Sequence, residues 1–409
     1  MSRSVMDQFI EVCFQIQGHH VTGMREEGSK VILEMRGKSS SVCPICGGRS
    51  SRYDSRLQEI YVGSLLGRGV YARVKVYRVD CRKCGIHREL ARISEGKRRY
   101  SKAVGQDLIR YTALLDNAGV ATLLGISASM VYRIDREELG RLMERYDPGH
   151  AFPTGLSVDE VSYKRRHKYA TMMSDYGSGR VLWMEKGRAY ADLVRGYTRL
   201  GEGRNSVETV ALDFWPAYEK ATREQIPKAH IVFDRFHLTR ILNRKVEDER
   251  RAYQKDLSQD QRRTLKRECR WLMLKRKGNL SESNQERLSA LKTENEPLYT
   301  LYLLKEDFLD IFQPQRPREE AHSLLRSWIR LTQTLPYPSM KRFARTLLKR
   351  LSTLLNWFDH PISNGKAEGI NNVVKTLLKR AYGYKDFPYF RMKVLQKCGL
   401  LMDLSTHTF

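Results

Sequence analysis

Four cysteines in two pairs, Cys43-Pro44-Ile45-Cys46 and Cys81-Arg82-Lys83-Cys84, constrain this chain more tightly than any other feature. Each C-x2-C turn points two sulfurs at one place, and each is followed by a glycine, Gly47 or Gly85, suited to a tight turn. Four thiolates in a tetrahedron are the donor set of one structural Zn2+. The stretch between the pairs alternates with period two over Val70–Val79, which reads as strand. The expectation is a zinc ribbon within a DNA-binding domain over residues 1–92. The other reading, free or disulfide-bonded cysteines, fits paired knuckles less well. Cys13, Cys269 and Cys398 stand alone and read as buried or free thiols.

Charge speaks next, and it speaks to partners rather than to fold. The formal net charge is +26 over 409 residues. A polyanion is the natural complement, because cationic side chains that neutralise phosphates release counterions. A membrane surface is the weaker reading, since no single amphipathic segment concentrates the basic residues. No apolar run approaches the 18 or so residues of a membrane span, and the opening Met1-Ser2-Arg3-Ser4-Val5-Met6-Asp7 lacks the apolar core of a leader. The expectation from these features is a cytoplasmic protein that is not associated with a membrane.

Residues 93–148 read as a helix-turn-helix domain. A helix ends at Gly125, Ser127 can cap the next one, and Val131 and Ile134 face inward. Ser129, Tyr132 and Arg133 then fall on the exposed side, where a recognition helix reads the major groove. An ordinary helical hairpin is the alternative. Pro148, Gly149, Pro153 and Gly155 mark a linker.

Beyond it the pattern becomes a mixed α/β layer. Leu156–Ser162, Tyr169–Tyr176 and Arg180–Lys186 read as a three-strand meander. A helix follows over Ala189–Leu200, then a strand ending at Asp213, a helix from Pro216, and a strand ending at Asp234. Residues 239–358 are helical in pattern and rich in Arg, Lys and Leu. Asp159 closes the apolar run of the first strand, Asp213 closes a later one, and Glu368 lies in the first turns of a late basic helix. Two strand-end aspartates and a helix-borne glutamate can share two divalent cations, which stabilise the attacking and leaving oxygens of a phosphodiester displacement. Asp234 also ends a strand and could replace Asp213 as a ligand; spacing alone leaves both open. Asp234 and His237 lie three apart at a strand-to-helix junction, either flanking the metals or capping a helix. Asn372 shares a helix face with Glu368, and Lys375 lies where it could meet a phosphate. Lys341–Arg345, Lys379 and Arg380 read as phosphate contacts or as a solvated helix face.

Ser157-Val158-Asp159-Glu160, His167-Lys168-Tyr169, Asp234-Arg235-Phe236-His237, Asn364-Gly365-Lys366-Ala367-Glu368-Gly369-Ile370-Asn371-Asn372 and Lys379-Arg380-Ala381-Tyr382-Gly383-Tyr384 resemble the ISL-three family of bacterial insertion-sequence transposases. The resemblance implies a DDE triad on Asp159, Asp213 and Glu368, with Asp234 and His237 as an accessory pair. It implies a ribonuclease-H-like core over 153–238 and 359–409, interrupted by a helical insertion over 239–358. One departure is visible: Arg166 stands where the family has a glycine in the turn after the first aspartate.

The function expected is that of a DNA transposase. It binds the terminal repeats of its element on double-stranded DNA, cuts with two Mg2+ or Mn2+ ions, and joins the ends to target DNA. It would act as a homodimer or higher assembly. Two other readings stand beside it: a zinc-ribbon and helix-turn-helix regulator with an inactive core, and a ribonuclease-H-like nuclease that cuts without joining.

Overall fold

The computed structural model describes residues 4–37, 42–89, 93–164, 168–255, 257–259, 271–362, 365–399 and 401. Arg166, His167, Cys269 and Asn364 lie outside these residues. The chain divides into two compact units, residues 1–147 with 373–409, and residues 148–372.

In the first unit, helix α1 (Val5–Phe14) precedes strands β1 (His19–Glu27), β2 (Lys30–Gly37), β3 (Ser51–Leu65), β4 (Arg68–Cys81) and β5 (Gly85–Arg88). They form one sheet in the order β1-β2-β4-β3, with β5 on β4. Alternation along β4 sends Val70, Ala72, Val74 and Val76 into a core with Ile10, Phe14, Ile60 and Val62. Helices α2 (Lys102–Leu114), α3 (Asn117–Leu124) and α4 (Ala128–Arg145) follow. Gly125 ends α3 with φ 63°, and Ser127 accepts the Met130 N–H to start α4. The turn must be glycine: a Cβ there would lie 2.0 Å from the Gly67 carbonyl oxygen of the β3–β4 hairpin.

The helix Phe387–Cys398 packs on α2 and α4 through a buried polar network. Lys393 Nζ donates to Asp135 Oδ2 at 3.1 Å, the Thr112 carbonyl at 2.8 Å and Gln396 Oε1 at 2.6 Å. Tyr389 Oη donates to Asp135 Oδ2 at 2.6 Å, and Thr112 Oγ1 to Asp135 Oδ1 at 2.5 Å. A buried charge pair is tolerated only when its remaining donors and acceptors are engaged, as here. Residues 373–409, expected as part of the catalytic core, therefore cluster with the N-terminal unit instead.

In the second unit, β6 (Gly155–Lys164), β7 (Lys168–Asp175) and β8 (Val181–Lys186) form the meander. Helix α5 (Tyr190–Arg199), β9 (Thr209–Leu212), α6 (Pro216–Gln225) and β10 (His230–Phe233) complete the layer. The sheet order is β10-β9-β6-β7-β8, with β6, β9 and β10 parallel and β7 antiparallel to its neighbours. β9 is buried throughout, as a strand covered on both faces should be. Helix α7 (Arg235–Gln254) opens a helical region that includes Glu282–Glu294, Glu296–Ile311, Arg318–Thr334, Pro338–Leu348 and Leu351–Asp359. Its core is aromatic, with Phe308 against Trp328 and Phe343. It is fastened to the sheet layer by Arg350 Nε on Glu219 Oε2 at 2.6 Å and Asn356 Nδ2 on the Ile231 carbonyl at 3.0 Å.

Candidate active site

Register decides where the acids meet. Val158 of β6 pairs with Leu212 of β9, and Leu212 pairs with Phe233 of β10. One residue further along each strand stand Asp159, Asp213 and Asp234, level at the carboxyl end of the parallel strands. In open α/β sheets the crevice outside these ends, where the strand order switches direction, is the usual ligand site. Asp159, expected near the end of its strand, lies instead in the middle of β6. The strand continues to Lys164 because β7 still pairs with it after β9 has ended.

Asp159, Asp213 and His237 each bring a ligand atom within 4.8 Å of the others. His237 stands on the first turn of α7, three residues after Asp234. The Asp234 carboxylate caps that helix by accepting the Phe236 N–H at 3.0 Å. His237 Nδ1 lies 3.1 Å from Asp213 Oδ2, and its Nε2 lies 3.8 Å from Asp234 Oδ2. Asp159 Oδ1 accepts the Glu160 N–H at 2.6 Å, and Asp159 Oδ2 accepts Asn371 Nδ2 at 2.5 Å. Asp213 Oδ1 is buried with no hydrogen-bond partner among the described residues.

Burial pushes the Asp213 carboxyl up to about 9, and the charges of Asp159, Asp234 and Glu160 push the same way. Burial also raises Asp159 and Glu160 and lowers His237. The cluster therefore holds carboxylates that water no longer stabilises. An uncompensated buried oxygen within a carboxylate cluster fits a hard divalent cation.

Glu368 lies in the first turn of helix Gly365–Arg380, exposed and outside this group. Ala367 and Ile370 of that helix are buried and line a small cavity with Ser157 and Asp159. Asn371, three residues after Glu368, makes the bond to Asp159. The sequence pattern sets Asn372 on one helix face with Glu368, and Asn372 is exposed. Lys375, Lys379 and Arg380 are exposed on the second half of the helix. On α4, Ser129 and Arg133 are exposed, but Tyr132 is engaged. Its hydroxyl bonds Asp386 Oδ2 at 3.1 Å and its ring packs edge-on against Tyr389.

Cys43, Cys46, Cys81 and Cys84 converge as their spacing predicts. Cys46 and Cys81 sulfurs lie 3.6 Å apart, close to the edge of a tetrahedron with metal–sulfur bonds of about 2.3 Å. Gly47 and Gly85 take positive φ in the two turns. Amides of Lys83 and Cys84 draw the Cys81 thiol down to about 6, whereas the Cys46 thiol and burial push Cys84 up to about 12, so only a bound cation would hold all four as thiolates.

Among the described residues, no helix is long and apolar enough to cross a membrane. The transposase family model of the ISL-three type matches residues 156–394, more than half of the chain. The transposase for insertion sequence element IS1001 of Bordetella parapertussis is 29% identical, covering 86% of this chain and 87% of that protein. The transposase for insertion sequence element IS1557 of Mycobacterium tuberculosis is 24% identical, covering 88% and 86%. A Drosophila P element transposase strand transfer complex aligns at a TM-score of 0.40 and 10% identity, over 76% of this chain and 93% of that one. The family match spans the whole row of acids and the helix that reaches them, and on it the chain belongs to the ISL-three family of DDE insertion-sequence transposases.

Proposed function

We propose that this protein binds the terminal inverted repeats of its insertion sequence and catalyses metal-dependent cleavage and strand transfer, with Asp159, Asp213 and Glu368 as its triad. The observation that carries the reading is the level placement of Asp159 and Asp213 beside an unpartnered buried carboxylate oxygen. Three antiparallel strands followed by two parallel ones, in the order observed, support a ribonuclease-H-like core.

Asp159 and Asp213 would hold two Mg2+ or Mn2+ ions, with Glu368 completing the donor set from the helix turn before Asn371. Asp213 suits this role better than Asp234, whose Oδ1 caps α7. Bound divalent cations would activate water and neutralise charge on the phosphodiester. His237, kept neutral by burial, orients Asp213 through its Nδ1. Asn371 and the Glu160 amide hold both oxygens of Asp159 in place. Water attacks the phosphodiester at the element end, and the freed 3′-hydroxyl then attacks target DNA in the same site. No covalent protein–DNA intermediate is needed.

Four thiolates would hold one structural Zn2+ in the ribbon. The ribbon, with Ser129 and Arg133 of the helix-turn-helix, would contact the repeats, and Lys375, Lys379 and Arg380 the backbone. Cutting two ends together calls for two active sites, hence a dimer or higher assembly on DNA.

The test is cleavage of labelled DNA carrying the element's own ends, with Mg2+ or Mn2+, comparing wild type with Glu368→Gln. Metal-dependent cutting lost in the variant supports the triad, and equal cutting by both removes Glu368 from it. Pre-cut ends that fail to join target DNA would reduce the protein to a nuclease.

A further inference from the structure

Two large aromatic side chains stand in water beside the acids. Trp215 is 43% exposed and Phe236 66% exposed, although burying such rings is strongly favourable. They occupy equivalent places, each two residues beyond its aspartate in the level row, one after β9 and one after β10. The backbone N–H of each bonds that same aspartate. The Trp215 N–H donates to the Asp213 carbonyl at 2.6 Å, and the Phe236 N–H to Asp234 Oδ1 at 3.0 Å. Pro216 follows Trp215 at the start of α6 and stiffens that end. The Arg188 guanidinium lies 5.5 Å from the Trp215 ring centre and 4.5 Å from that of Tyr169. It also lies 3.8 Å from Glu160. Two exposed rings thus follow the acids at the strand ends, with a guanidinium beside Trp215.

From this arrangement, and resting on the proposed function, we infer that Trp215 and Phe236 receive an unpaired nucleobase of the DNA end beside the scissile phosphate. Every base has a π-face, so stacking on aromatic rings needs no particular sequence, and arginine adds a cation–π contribution. A base drawn out of the duplex leaves its phosphate free to approach the acids, at the cost of unpairing, which is smallest where the DNA is already open. The two rings are positioning residues: they act on the flanking nucleotide and leave the reacting phosphate to the acids.

The experiment compares cleavage of fully paired element ends with ends carrying unpaired bases around the cut. Wild type, Trp215→Ala and Phe236→Ala are used, with Trp215→Phe and Phe236→Tyr as conservative variants. The alanine variants should cut paired DNA about tenfold more slowly or worse, the scale of one lost stacking contact. They should recover towards wild type on unpaired DNA, and the conservative variants should stay close to wild type on both. A 2-aminopurine at the flanking position should change its fluorescence when wild type binds, and less with the double alanine variant. Equal loss on both substrates, or cutting and fluorescence unaltered by the alanine changes, would overturn the inference. So would lost self-association with an unchanged base signal, which would make a second copy the occupant. If wild type cuts neither DNA, the proposed function fails, while the 2-aminopurine signal still decides the stacking.

Discussion

Asn371 donates its Nδ2 hydrogen to Asp159 Oδ2 at 2.5 Å, across 212 positions of sequence. This bond ties the helix that carries Glu368 to the strand that carries the first aspartate. Partners that orient a metal ligand typically contribute about 10–100-fold to affinity or activity. Asn371→Ala should therefore lower the single-turnover cleavage rate by about that factor and raise the concentration of Mg2+ required. DNA affinity should stay unchanged. Asn371→Asp should be worse, because it sets another negative charge against a desolvated carboxylate. An unaltered metal requirement in Asn371→Ala would show that the bond is dispensable.

The acid cluster should make stability depend on pH and metal together. The folded Asp213 carboxyl holds its proton up to about 9, whereas the unfolded chain releases it near pH 4. Between these values the folded state binds more protons, so stability falls as pH rises from about 4 to 9 without divalent ions. Asp213→Asn should remove part of this slope and melt higher than wild type at pH 8 in chelator. Added Mg2+ or Mn2+ should raise the melting temperature of wild type more at pH 8 than at pH 6, and that of the variant little. Parallel pH profiles for the two proteins would contradict the assignment.

One zinc per chain is expected from metal analysis of the purified protein. Cys81→Ser or a strong chelator should unfold the β3–β5 end of the first sheet, because the binding energy of a structural zinc is folding energy and the remaining thiols take up protons once the ion is gone. Binding to the terminal repeats should fall with it, while the sheet of residues 155–233 should keep its fold. Full zinc content in Cys81→Ser would exclude that residue as a ligand.

Two glycines separate backbone need from mere tolerance. Gly125→Ala combines φ 63° with a Cβ 2.0 Å from the Gly67 oxygen, and should cost at least ~2 kcal/mol. Gly140 lies inside α4, and a Cβ added there would meet nothing within 4 Å, so Gly140→Ala should stabilise by up to about 1 kcal/mol. Urea unfolding of the two variants checks the opposite signs.

What residues near one another in sequence encode was legible. The period-two run Val70–Val79 predicts a strand where β4 has one, since alternation needs no distant partner, and the short apolar runs between Leu156 and Asp234 do the same for β6 to β10. The turn at Gly125 and the cap at Ser127 were readable because both are local chemistry. The four cysteines announced their convergence, because each pair is a turn and the strands between return the chain to its start.

Choices between distant partners were not legible. Asp213 and Asp234 end their strands alike, and only the pairing of Val158, Leu212 and Phe233 shows that both stand level with Asp159. The α7 cap then draws Asp234 Oδ1 aside and brings His237 to Asp213. Asn371 and Asn372 are adjacent and chemically identical, and helix phase against the sheet selects Asn371. The helix Phe387–Cys398 carries an apolar pattern that any core could accept. The buried Asp135–Lys393 pair assigns it to the N-terminal unit, because a charge removed from water must find its counter-charge there. Local sequence thus specified the elements and the kinds of chemistry available. Register, helix phase and the burial of charge belong to pairs of residues far apart in the chain, and they were settled only when the chain packed in three dimensions.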